Sequence, residues 1–294
     1  MPLDIQALRD WRFPTLMHSH SEADTLLYGV SLGFGQDPTD PGQLSFAYEA
    51  RLQAVPTMAA ILCHPGPWSA DPRFGITRAK VVHGEQRVFL HRPLPVAGTL
   101  QTTPRILAVE DKGDKGALIH VARTLRDTAD GAPVASILHS TFCRADGGFG
   151  GGFGTAPISH RLPDRAPDLC IDLPTRPEAA LLYRLNNDRN PLHADPDYAR
   201  RAGFDRPILH GLCSYGLAAR ALLHGLLDHD ATLLRSVEAR FSAPVYPGET
   251  LSFEIWRDGD LASFRALVRD RGVRVLDAGR ALLGPTAPDP DYLT

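Results

Sequence analysis

An α+β fold built twice in tandem is what this sequence predicts, and three observations predict it. In each half, helical segments come first and β-rich segments broken by turn signals follow. A Gly- and Pro-rich stretch, "ADGGFGGGFGTAP" (145–157), lies near the midpoint of the 294 residues. One segment, "GLCSYGLAARALLHGLL" (211–227), is apolar around most of its circumference, as a helix enclosed by other structure would be.

Each element follows from local signals. In the first half, "EQRVFLHRPLPVAGTLQTTPRILAVED", "ALIHVARTLRD" and "PVASILHSTFCRA" read as successive antiparallel strands. In the second, "SVEARFSAPVYPGETLSFEIWRDGD", "LASFRALVRDRG" and "VRVLDAGRALLG" repeat that layout. "RPLPVAGTL" (92–100) and "APVYPGETL" (243–251) match locally, and with the shared strand order they point to a duplication. "ADTLLYGVSLGFG" and "VPTMAAILC" are the first-half counterparts of the enclosed helix. Residues 145–168 read as a linker, because glycine clusters and prolines resist a packed core. Phe153 stands where a G-x-G-x-x-G phosphate loop needs glycine. The division is therefore 1–144, linker 145–168, and 169–294.

Composition narrows the function. An apolar fraction of 43% fits a globular chain, and a net charge of −3 offers no electrostatic reason to expect nucleic acid or an anionic membrane as partner. Only Lys80, Lys112 and Lys115 are lysines; the arginine excess reads as genome bias. Cys63, Cys143, Cys170 and Cys213 are widely spaced without C-x-x-C, so they read as reduced thiols of a cytoplasmic chain. The charged start "MPLDIQALRDWRFPTL" does not suit a signal peptide, no apolar run reaches about 18 residues, and "DYLT" is no S-K-L type address.

The chemistry concentrates in "YRLNNDRNPLHADPDYARRAGFDRPILHGLCSYG" (183–216). Asn190-Pro191 reads as a helix start, with His193 in the first turn and Asp188 in the approaching loop. A helix N-terminus disfavours imidazolium, so His193 should stay neutral, and a carboxylate beside it can share a water for acid–base work. The plain alternative is that Asp188 caps the turn and His193 is solvated. Gly211 opens the apolar helix, where free N–H groups make a plausible oxyanion hole; close packing is the structural alternative.

Together these residues resemble the hydratase 2 motif of the MaoC-like dehydratases, Y-x-L-S-G-D-x-N-P-L-H, here Tyr183, Leu185, Asp188, Asn190, Pro191, Leu192 and His193. Asn186 replaces the small residue and Asn187 the glycine; Asn is the non-glycine residue most tolerant of positive φ, so the loop can survive. "VVHGEQRVFLHRPLPVAGTL", "VEDKGDKGALI", "GFDRPILHGLCSYG" and "ARFSAPVYPGETL" extend the resemblance over nearly the whole chain. It implies a tandem hot-dog fold, each half a curved antiparallel sheet around a helix. It also implies reversible hydration of trans-2-enoyl-CoA to (R)-3-hydroxyacyl-CoA. Asp188, Asn190 and His193 would be catalytic and the Gly211 amide would bind the thioester oxygen. His83, Gly84, Lys112 and Phe241 would line the acyl-CoA site. No cofactor or metal is implied, and a homodimer is. The first half lacks D-x-N-P-x-H, so one active site per chain is expected, with the first half shaping the acyl and CoA tunnel.

Other classes fit less well. A hot-dog thioesterase shares fold and ligand but usually lacks the Asp–Asn–His arrangement, and the intact dyad argues against a non-catalytic acyl-CoA-binding protein. "GLCSYG" misses G-x-S-x-G, and Cys213 inside an apolar helix is a poor nucleophile. His193 and Asp195, two apart on a helix, point to different sides and suit no metal. His18, His20 and His64 carry no interpretable spacing.

Overall fold

The computed structural model describes residues 3–286; "DYLT" lies outside them. Eleven strands form one antiparallel sheet: β1 (Leu16–His20), β2 (Val81–Leu90), β3 (Gly98–Thr102), β4 (Arg105–Asp111), β5 (Ala117–Asp127), β6 (Pro133–Cys143), β7 (Leu169–Pro174), β8 (Leu234–Phe241), β9 (Thr250–Asp258), β10 (Leu261–Val268) and β11 (Val273–Leu283). In space the order is β1-β3-β5-β6-β2-β8-β11-β10-β9-β7, with β4 also on β5. The halves join where β2 pairs β8, from Glu85 opposite Arg240 to Phe89 opposite Ser236. The tandem hot-dog expectation holds.

Alternation along the strands separates two faces. Val88 and Leu90 of β2 enter the main core, together with Val237 of β8 and most of the central helix, Gly211–Leu226. Arg87, immediately before Val88 in sequence, turns to the opposite face, where it bridges Glu85 at 3.0 Å and Glu238 at 3.1 Å. Residues 145–168 cross that polar face. Phe153 forms a bridge with Val109, Arg87 donates to the Ile158 carbonyl, and His160 meets the Ser263 hydroxyl at 2.8 Å. The stretch is glycine-rich partly because it runs so close to the sheet: a Cβ on Gly152 would lie 2.1 Å from the Val109 carbonyl oxygen.

The central helix forms as expected, and every residue from Cys213 to Leu223 is buried. Its glycines mark close approaches; a Cβ on Gly216 would meet Leu32 at 2.5 Å. The first-half counterparts differ from expectation. "ADTLLYGVSLGFG" gives a helix over Glu22–Ser31, started by a Ser21/Asp24 capping box. "VPTMAAILC" gives only a 3₁₀ turn, Pro56–Ala60. Pro56 sets its start, and Pro65 and Pro67 follow within a few residues, so no α-helix can propagate. The turn is nevertheless fully buried and fills the place that a long helix would take.

Candidate active site

The motif loop folds through two asparagines. Asn187 adopts φ +69°, the left-handed conformation that a glycine would otherwise supply. Asn186 is buried, and its side-chain amide donates to the Ser31 hydroxyl and to the Tyr183 carbonyl, both at 3.0 Å. A small residue there could not reach Ser31, so the substitution ties the loop to the first half.

Asn190 caps the next turn as expected, its side-chain oxygen accepting from Leu192 N at 3.1 Å. The turn is a three-residue 3₁₀ segment, Pro191–His193, and not the start of a long helix. So short a segment has little dipole, and His193 is kept neutral chiefly by burial, which lowers its pKa. The His193 ring donates from Nδ1 to the Ile208 carbonyl at 2.8 Å, which leaves Nε2 as the acceptor facing outward. Asp188 is half-buried, and among the described residues its side chain has one bond, a long 3.3 Å contact from Asn190 N. Asn190 is therefore the cap, and Asp188 keeps free carboxylate lone pairs.

His210, which the sequence reading passed over, completes the cluster. Its Nε2 donates to the Asp188 backbone carbonyl at 3.2 Å. Its ring stacks on His193, with centroids 3.8 Å apart and planes 26° apart. Burial first, and the neighbouring His193 second, bring its pKa down to about 4. The donor atoms of Asp188, His193 and His210 all lie within 4.8 Å of one another. That spacing suits a cation, but near-parallel stacked rings point their lone pairs side by side and not at one centre, and His210 Nε2 already carries a proton for Asp188. Asp195 lies outside the cluster and caps the following helix, Pro196–Arg201.

Gly211 follows His210 at the first position of the central helix, and no side chain caps that end. Its amide is therefore available, as an oxyanion donor requires. A Cβ on Gly211 would lie 3.2 Å from the Phe241 ring, so the glycine also lets Phe241 close in. Phe241 in turn meets His83 at 4.4 Å between centroids. Gly211, Phe241 and His83 thus form one wall, to which both halves contribute.

Gly84 forms the bulge in β2: pairing with β6 skips it, His83 opposing Thr141 and Glu85 opposing Ser140. A Cβ there would lie 3.2 Å from the Ser140 carbonyl oxygen, a tight contact that favours glycine on packing grounds alone. Lys112 sits in the β4–β5 hairpin, where its ammonium pairs with Glu110 at 2.6 Å. Its bonds among the described residues stay within that hairpin and do not reach the dyad.

The first half also supplies His64 and His139, which spacing gave no means of finding. His139 lies 4.0 Å from the His83 ring and 6.0 Å from the His64 ring. Burial lowers the pKa of His83 to about 3 and pulls that of His139 well down. His64 keeps an exposed surface, yet the wall around it and the charge of Arg123 also lower its pKa. The Asp188 carboxylate acts on both His64 and His83 in the opposite sense, so these histidines lie within electrostatic reach of it.

Comparison with known proteins gives the family. The MFE-2 hydratase 2 N-terminal domain matches residues 18–145, and the MaoC like domain matches residues 159–277. The chain is 41% identical to an enoyl-CoA hydratase, ChsH3, of Mycobacterium tuberculosis, over 93% of this chain and 96% of that protein. It is 43% identical to 3-hydroxyacyl-thioester dehydratase Y of the same organism, over 82% and 83%. The crystal structure of a MaoC-like dehydratase from Phytophthora capsici superposes with a TM-score of 0.86 at 30% identity, covering 96% of this chain and 98% of that one. The chain belongs to the MaoC-like dehydratase family, in its two-domain hydratase 2 branch.

Proposed function

We propose that the protein is a hydro-lyase that adds water reversibly to trans-2-enoyl-CoA, giving (R)-3-hydroxyacyl-CoA. The observation that carries this reading is the convergence of Asp188 and a neutral His193 beside the uncapped Gly211 amide. Asp188 and His193 Nε2 hold one water over C3. As its oxygen bonds to C3, a water proton passes to Nε2 and is delivered to C2, so the double bond becomes single and atoms balance. Because one cluster serves both carbons, addition is syn. The thioester oxygen gathers charge during attack, and the Gly211 N–H stabilises it there. His210 acts on the dyad as a positioning residue, through the Asp188 carbonyl and the His193 ring.

His83 and Phe241 form the facing wall, while Gly84 acts by shaping the bulge that aims His83. Lys112, on its hairpin, is assigned to the CoA end. The division at 145–168 is supported by the matched segments, which end at 145 and resume at 159. A homodimer belongs to the same reading, supported by the outer edges of β1 and β7, each paired on one side only. No helix among the described residues is long and apolar enough to cross a membrane; cytoplasmic placement is supported by the four free cysteines.

Turnover of an enoyl-CoA series, with chiral analysis of the product and a thiol assay alongside, tests the proposal. Formation of (R)-3-hydroxyacyl-CoA without thiol release is expected. Release of free CoA thiol, or an (S) product, would overturn it.

A further inference from the structure

A hydrocarbon chain calls for an apolar lining, yet the first-half side of the proposed site is polar. It starts at the wall where Phe241 meets His83. His139 follows, 4.0 Å from the His83 ring, and then His64, 6.0 Å from His139. His64 is exposed, and His83 and His139 are half-buried, although burial governs the pKa of all three. Rings that are hemmed in and still keep accessible surface line a crevice and not a sealed core. His64 Nδ1 accepts from Gly66 N at 3.1 Å, which leaves its Nε2–H as a donor.

Arg123 closes the row. Strand alternation puts it on the core face of β5 with Leu125, and it pairs there with Ile137, two residues before His139 on the same face of β6. It is buried, with 3% of its surface exposed. Its guanidinium donates to the Ala60 carbonyl at 2.6 Å, in the turn that leads to Cys63 and His64. Its Nε has no partner, and among the described residues no ion pair joins it to a carboxylate. Burial brings its pKa down only to about 10, so it is charged at neutral pH, and that charge helps to lower the pKa of His64 and His139. Its neighbours supply no anion: the two imidazoles are neutral, and burial pushes the Cys63 thiol up to about 11. Arg87, also buried, has Glu85 and Glu238 instead. A buried charge left without compensation is costly, so Arg123 asks for an anion from outside the chain.

We propose that Arg123 is a specificity-determining residue, and that the preferred substrate is an enoyl-CoA whose acyl chain ends in a carboxylate, led past His83 and His139 to the guanidinium. This rests on the hydratase reading of the dyad and names the substrate class of that same site. Guanidinium and carboxylate form a strong charge-assisted pair, and His64 Nε2–H is a second donor to the same group. A methyl-ended chain would fill the crevice and leave the charge unpaired, so discrimination comes from both the gain and the penalty.

The test is calorimetric titration of saturated thioesters into the full chain, so that binding is read without turnover. Adipoyl-, suberoyl- and sebacoyl-CoA are compared with hexanoyl-, octanoyl- and decanoyl-CoA, which match them in length and end in methyl. At one length or more the carboxylate-ended thioester should bind about ten- to a hundredfold more tightly, the equivalent of one charge-assisted hydrogen bond. Arg123→Met should remove that preference and tighten binding of the methyl-ended partner, while Arg123→Lys, which keeps the charge, should retain part of it. Equal or weaker binding of the carboxylate-ended thioester at every length overturns the proposal and leaves the hydratase reading in place. This comparison uses the wild-type chain, so it decides even where Arg123→Met does not fold. A preference undiminished in folded Arg123→Met also overturns the assignment to Arg123. Binding of neither series removes the proposal and the hydratase reading together.

Discussion

The two halves share strand layout and differ underneath it. The second half packs a 16-residue helix against its strands; the first puts a five-residue 3₁₀ turn in the corresponding place. Both fillings are buried to a similar degree. Burial rewards apolar volume and does not require regular structure, so one copy can lose its helix and keep its core. It loses something else, however. A helix with a free first turn offers amide donors, and Gly211 is such a donor. The first-half turn begins at Pro56, which has no N–H to offer. On the proposed reading, the thioester oxygen can therefore be held in one half only, while the other half contributes histidines to the site.

That contrast can be tested by substitution, beginning with the largest effect. Asp188→Asn and His193→Gln should each reduce kcat by about 10²–10⁴-fold with KM much less changed, and the double variant should be scarcely worse than either single. Near-wild-type turnover of Asp188→Asn across an enoyl-CoA series would mean that the dyad is structural. Next, Leu222→Ala in the central helix and Met58→Ala in the 3₁₀ turn should each cost about 2–5 kcal/mol in urea unfolding. A Met58 cost well below that range would show that the first-half filling packs loosely. His210→Ala should lower kcat by about 10²-fold through a misplaced dyad, with KM nearly unchanged. His210→Asn, which can still donate to the Asp188 carbonyl, should restore part of it; an equal loss in KM would point to a binding role instead.

Acid should weaken the fold through the same histidines. His64, His83, His139, His193 and His210 have folded pKa values below the ordinary 6.5. As pH falls from about 6.5 toward 4, the unfolded chain takes up protons that the folded one refuses, so stability drops by at most about 1.4 kcal/mol per pH unit for each histidine. A Tm constant across that window would contradict their burial as neutral rings. The smallest effect belongs to Asn186→Ser, which restores the motif's small residue. Losing the reach to Ser31 should cost about 1 kcal/mol, without abolishing turnover.

Much of the site was legible because it is contiguous. Asp188, Asn190 and His193 fall within six residues; their spacing left a capping role open, and it was the resemblance to the hydratase 2 motif that made them the candidates. Asn187 could be assigned its positive φ from side-chain chemistry alone. His210 was not legible: its function comes from stacking on a residue 17 positions earlier, and no periodicity encodes that contact. His64 and His139 lie farther still, on chain segments that meet only after β5, β6 and β2 have paired. The expected dipole effect on His193 failed for a local reason, because the following turn is too short to have one.

By itself the sequence determined the duplicated α+β order, the enclosed helix, the conformation of the candidate loop and the glycine-rich stretch between halves. These rest on local rules of periodicity, capping and turn chemistry, which act over a few residues. Tertiary structure alone decided that the first-half "helix" is a 3₁₀ turn, that Gly84 serves a bulge, that Asn186 fastens the loop to Ser31, and that Arg123 lies buried without an acid. Each of these depends on which distant atoms come within a few ångströms, and such distances are set by packing the whole sheet.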